Sequence, residues 1–185
     1  MAKKLRIDPG FLAVICLLGW LDGSLCVCFL CSVLLHEMAH LLAAALCRVG
    51  VSAFVLRAGG GVIETENMDY RKEIVIAAAG PTASFLAAAV GQSVYGEFAA
   101  VSILLGAANL LPVFPLDGGR ILRGLLLLIL PMDVALKIGK VITFTVCGGL
   151  MLLACWGAAV WQCGLWPVFA ALVILCRVGN AAMKP

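Results

Sequence analysis

The chain has 185 residues, 64% of them hydrophobic and only 12% charged, whereas soluble domains carry about 25% charge, so composition places it in a membrane. The formal charge of +3 does not point to nucleic acid, because the basic residues are dispersed between apolar runs with no aromatic–basic surface pattern. Nor do nine cysteines make a disulfide framework: all but Cys163 lie in or beside apolar segments, where cysteine behaves as a small hydrophobe.

Lys3, Lys4 and Arg6, ahead of Pro9-Gly10, form a basic lead-in, and Phe11 to Leu21 reads as the core of a first span. No small-residue cleavage site follows, so this is not a signal peptide. Asp22-Gly23 makes a turn, and a second span runs from about Ser24 to Cys47. It carries His36-Glu37-Met38-Ala39-His40. Two histidines four apart share one helix face, and the glutamate between them can reach water held there. This is the zinc-hydrolase arrangement, with two imidazole ligands and a carboxylate base. The bland alternative makes the histidines neutral packing residues and Glu37 a protonated, hydrogen-bonded acid. Three such groups at metal-binding spacing in hydrocarbon are costly and argue for a metal.

Residues 48–72 change character. Phe54-Val55-Leu56 and Val62 to Glu66 read as short strands around Gly59-Gly60-Gly61, a hairpin near the membrane. A third span, about Lys72 to Ser93, contains Gly80-Pro81, where proline should kink the helix. Its small residues permit close helix approach. A fourth span, Phe98 to about Val113, ends in the corner Pro112 to Arg120. Ile121 to Leu130 is too short to cross comfortably; a fifth span covers about Ile138 to Val160 and a sixth Leu165 to Cys176. The expected fold is thus an all-α polytopic membrane protein of about six transmembrane helices, with a short membrane-associated β-hairpin between helices two and three. Six spans put every Lys and Arg on one side, together with both termini, and that side is cytoplasmic by the positive-inside rule.

A catalytic zinc takes three protein ligands and leaves a position for water. Asp117, bracketed by Pro115 and Gly118-Gly119 after the fourth span, is the best third ligand. An ordinary Asp-Gly turn would also explain it, and Glu64, Glu66, Asp69 and Glu73 are alternatives. Asn109, two turns earlier, can donate its amide to a substrate carbonyl or merely hold two helices together.

Two blocks, Leu35 to His40 and Asn109-Leu110-Leu111-Pro112-Val113-Phe114-Pro115-Leu116-Asp117-Gly118-Gly119-Arg120, with Ala77-Ala78-Ala79-Gly80-Pro81 as a weaker match, resemble the site-2 protease family of intramembrane zinc metalloproteases (peptidase family M50). Within it, the chain is most similar to the bacterial sporulation branch that processes a membrane-tethered pro-sigma factor. The resemblance implies Zn(2+) held by His36, His40 and Asp117, Glu37 as the base and Asn109 as a substrate or oxyanion contact. It also implies a membrane-tethered protein substrate, membrane regulatory partners, and a glycine-rich strand region at Gly59–Glu64 suited to pairing with an unwound substrate. Many members have asparagine where this chain has Ser84, a departure that counts against a substrate-loop role for the third span but not against metal binding. The chain ends at Pro185, so residues 1–185 are expected to form a single transmembrane metalloprotease domain with no C-terminal CBS domain. The rival reading is a membrane metal transporter or sensor, for which a longer polar path or internal repeats would be expected.

Overall fold

The structure is a computed structural model that describes residues 4–7, 9–50, 53–57, 60–64, 69–93 and 95–161. The chain divides into two compact units, Met1–Leu110 and Leu111–Pro185.

The first unit contains β1 (Lys4–Ile7), α1 (Pro9–Leu21), α2 (Gly23–Leu46), β2 (Ala53–Arg57), β3 (Gly60–Glu64), α3 (Tyr70–Gly91) and α4 (Gly96–Asn109). The start of α2 is fixed by Asp22, whose carboxylate accepts from the backbone N–H groups of Ser24 (2.8 Å) and Leu25 (3.3 Å). An aspartate N-cap of this kind satisfies donors the helix itself leaves open. Asp22-Gly23 is therefore both the turn and the cap. At the other end the Val49 N–H reaches the Ala44 carbonyl and the Arg48 N–H the Ala45 carbonyl, closing the helix in a Schellman arrangement.

Helix α3 packs against both α2 and α4, and these three helices form the body of the unit. Between α2 and α4 the buried hydroxyls of Ser32 and Ser102 share a hydrogen bond of 2.8 Å. Burial is inverted relative to a soluble protein. Ser32, His36, Glu37, His40, Ser84, Ser102 and Asn109 are buried, while Leu34, Leu42, Leu46, Val90 and Leu104 are exposed. An apolar exterior around polar groups that are hydrogen-bonded inside is what hydrocarbon demands of a helical protein. The chain is a multi-pass membrane protein.

The second unit contains α5 (Asp117–Ile129) and α6 (Met132–Trp161). Buried Val113 and Cys147 form its core, with Leu111, Leu116 and Val146 packed around them. The Phe114-Pro115 peptide bond is cis, and the Phe114 N–H donates to the Thr143 hydroxyl at 3.4 Å.

This architecture corrects the expected all-α class with six spans. The described residues include a three-stranded sheet, ordered β1-β2-β3, and only three helices long and apolar enough to cross: Gly23–Leu46, Tyr70–Gly91 and Met132–Val160. Helices α1 and α4 have 13 and 14 residues. At 1.5 Å per residue each reaches about 20 Å, short of a hydrocarbon core of about 30 Å. Their ends are fixed by Pro9 and the Asp22 cap in one case, and by Gly96 and the Leu110 to Pro112 corner in the other. The sixth expected span, 165–176, lies outside the described residues.

The sheet also differs in detail. Antiparallel β2 and β3 pair Ala53 with Glu64 and Arg57 with Gly60, so Gly60 and Gly61 belong to the strand and not to the turn. The basic lead-in supplies a strand of its own: Lys4 to Ile7 pair in parallel with Ala53 to Leu56.

Candidate metal centre

His36 and His40 are almost completely buried on the face of α2 that meets α3. Their Nε2 atoms lie 3.2 Å apart and their rings stand edge to face, with centroids 4.8 Å apart. Helix α3 holds the opposite edge of each ring. His40 Nδ1 is 2.7 Å from the carbonyl oxygen of Ile76, and His36 Nδ1 is 2.9 Å from the hydroxyl of Ser84. A carbonyl only accepts, so His40 Nδ1 carries the hydrogen and its Nε2 presents a bare lone pair.

Between these two anchors stands Gly80. A Cβ there would lie 2.7 Å from His36 Nε2 and closer still to His40 Nε2. Ile76, Gly80 and Ser84 are spaced by four residues, as are His36 and His40, so one stripe of α3 faces one stripe of α2. The order is reversed, with His36 meeting Ser84 and His40 meeting Ile76, because the helices run antiparallel.

Asp117 is the first residue of α5 and is buried. A helix N-terminus favours a negative side chain, and Arg120 Nη1 lies 3.9 Å from its Oδ1. Gly119 fixes this first turn: a Cβ there would come within 2.5 Å of the Phe114 nitrogen and the Val113 carbonyl carbon. Among the described residues, His36, His40 and Asp117 form a set of three buried side chains that could hold a metal ion.

The donor set fits zinc. Bonds of ~2.0–2.1 Å in a tetrahedron separate two nitrogens by about 3.3 Å, close to the 3.2 Å between the two Nε2 atoms. Two imidazoles with their far nitrogens hydrogen-bonded, plus one carboxylate, match the ligands and outer partners of a catalytic zinc site.

Of the alternative third ligands, Asp69 is the N-cap of α3, accepting from the Arg71 N–H at 3.4 Å, and Glu73 lies in that helix's first turn. Glu66 is outside the described residues. Glu37 is buried on α2, one residue beyond His36. Asn109 is buried at the end of α4, and its Nδ2 donates to the Leu105 carbonyl of the same helix at 3.0 Å. That hydrogen bond is internal to α4 and uses one of the two amide hydrogens, so the second N–H and Oδ1 are the other polar groups of the side chain.

A sequence profile described as peptidase family M50 matches residues 24–97 and 89–154. The chain belongs to peptidase family M50. Among M50 relatives, Stage IV sporulation protein FB of Bacillus subtilis is 30% identical over 188 residues, covering 92% of this chain and 64% of that protein. A zinc metalloprotease of Methanocaldococcus jannaschii is 32% identical over 134 residues, covering 63% of this chain and 40% of that one. The chain thus spans less than two thirds of the length of either relative. The solved structure of a site-2 protease from Methanocaldococcus jannaschii superposes with a TM-score of 0.75 at 24% identity, covering 100% of this chain and 93% of that one. At that identity the likeness is one of fold, and it gives the M50 chain the site-2 protease fold.

Proposed function

We propose that this M50 chain is a zinc metalloendopeptidase that cleaves a membrane-tethered protein within the bilayer. The observation that carries the reading is the buried ligand set His36, His40 and Asp117, with buried Glu37 beside the first histidine. His36, His40 and Asp117 would hold zinc, which when bound acidifies water and polarises a carbonyl. Glu37 takes the proton from the attacking water and returns it to the leaving amine as the peptide bond breaks. Asn109 orients the substrate backbone near that point. Residues 1–185 act as a single metalloprotease domain, since the ligands come from both halves of the sequence.

A transmembrane substrate hides its carbonyls in helical hydrogen bonds and must unwind to be cut. In the order β1-β2-β3 the third strand is an edge, and Gly60–Glu64 would accept the unwound segment by strand addition. Similarity to Stage IV sporulation protein FB supports a substrate in sporulation, and a membrane-tethered pro-sigma factor is the class we assign. We also assign membrane regulatory proteins as partners, and both termini to the cytoplasmic side. Parallel pairing of β1 with β2 supports this for the N-terminus, because β2 lies in the basic connection between α2 and α3. For the C-terminus it rests on Arg177 and Lys184.

The test separates metal binding from catalysis. Glu37→Gln should keep near-stoichiometric zinc while cleavage of a co-expressed membrane-tethered substrate falls on the order of 10²–10⁴-fold. His36→Ala, His40→Ala and Asp117→Ala should lose both zinc and activity. Wild-type cleavage by Glu37→Gln, with zinc intact, would defeat the hydrolase mechanism and favour a metal transporter or sensor.

A further inference from the structure

The two histidines are anchored differently. Ile76 offers His40 a backbone carbonyl, which no side-chain substitution removes and which admits one tautomer only. His36 instead relies on the hydroxyl of Ser84, at 2.9 Å, and a hydroxyl can either accept or donate. If it accepts, His36 carries its hydrogen on Nδ1 and Nε2 is bare; if it donates, the hydrogen moves to Nε2 and that nitrogen cannot bind a metal. A helical serine can donate its own hydrogen to a carbonyl of the preceding turn, which leaves its lone pairs for an Nδ1–H donor. The side chain has little freedom. Ser84 is only 1% exposed, and Gly106 of α4 approaches so closely that a Cβ there would lie 3.1 Å from Ser84 Cβ.

We propose that Ser84 is a positioning residue of the metal centre, accepting a hydrogen bond from His36 Nδ1–H and thereby holding His36 in the tautomer and ring orientation that bind zinc. The inference rests on the zinc reading above and adds to it a residue on α3 that touches neither metal nor substrate. It also makes His36 the adjustable ligand and His40 the fixed one.

Zinc affinity of the purified full-length chain, measured by competition with a chromogenic chelator, tests this directly. Ser84→Ala should weaken zinc binding by about 10–100-fold, the usual effect of losing an outer hydrogen-bond partner. The visible absorption bands of the cobalt(II)-loaded protein should also shift at saturating metal. Ser32→Ala is the matched control: its hydroxyl is equally buried on α2 one turn before His36, yet it bonds Ser102 and not an imidazole. It should leave zinc affinity within about threefold of wild type and the cobalt spectrum unchanged. Ser84→Gly, which also lacks the hydroxyl, repeats the test should the alanine protein not purify. Zinc affinity within threefold of wild type in the Ser84 variants, or equal weakening by Ser32→Ala, would overturn the assignment while leaving the zinc site standing. Wild-type protein that binds no zinc would overturn both.

Discussion

Gly80 occupies a position on α3 where a side chain would enter the space that His36 and His40 face. In the sequence it reads as one of several small residues that let helices approach; in the structure the close approach is to two imidazole edges. Gly80→Ala should therefore reduce zinc binding by at least the 10–100-fold seen when outer partners of a metal are lost, because the methyl group displaces a ligand outright. Zinc content beside the circular dichroism of the purified protein checks this, since helix should persist while metal is lost. His36, Glu37 and His40 were legible because their spacing alone places them on a helix, and Asp117 because its glycine and proline neighbours mark a fixed corner. Ser84 was visible only as a departure from relatives, and nothing in its identity revealed the imidazole across from it. The Ile76 carbonyl was not legible at all, since every residue carries the same acceptor and only packing selects one.

At the scale of elements, the end of α2 shows how local geometry can oppose residue choice. Arg48 closes the Schellman arrangement with φ 53, a left-handed conformation that glycine adopts without the Cβ penalty. The penalty for other residues is roughly 1–2 kcal/mol. Arg48→Gly should stabilise the protein by about 1 kcal/mol, somewhat less after glycine's greater unfolded-state entropy is counted; thermal unfolding in detergent reads the difference. Gly119→Ala should do the reverse at the start of α5. With Val113 and Phe114 backbone so close, the first turn must shift, and zinc content should fall together with stability because Asp117 moves with it. The long helices were legible from sustained apolar runs. Short ones misled because an apolar run of 11 to 16 residues, as in Phe11–Leu21 and Phe98–Val113, satisfies a hydropathy reading without the length to span. The alternation Leu5-Arg6-Ile7 was the available signal for β1, outweighed by the basic residues around it.

For the molecule as a whole, the distribution of side chains between interior and surface decides the setting. Leu46, Val90, Leu104, Ile129 and Leu152 are each at least 70% exposed, which in water would make an aggregating surface and in lipid is the expected exterior. The sidedness of the first unit then follows from two independent features. Strand pairing ties the N-terminal segment to the connection between α2 and α3, and α3 is long enough to carry the chain across after it. Arg48, Arg57, Arg71 and Lys72 fall in or beside that connection, whereas residues 92–98, beyond α3, contain Glu97 and no basic residue. By the positive-inside rule this is the side we propose to be cytoplasmic. Reporter fusions made in the full chain near residues 3 and 67 should both report cytoplasm, and a fusion near residue 94 the opposite side. Replacing Arg71 and Lys72 with glutamine should weaken that preference without reversing it, because Lys3, Lys4 and Arg6 act on the same face through the sheet. A cytoplasmic signal from residue 94 would mean that α3 does not cross. Opposite signals from residues 3 and 67 would break the pairing of β1 with β2, and with it the assignment of the N-terminus to the side where β3 would meet substrate.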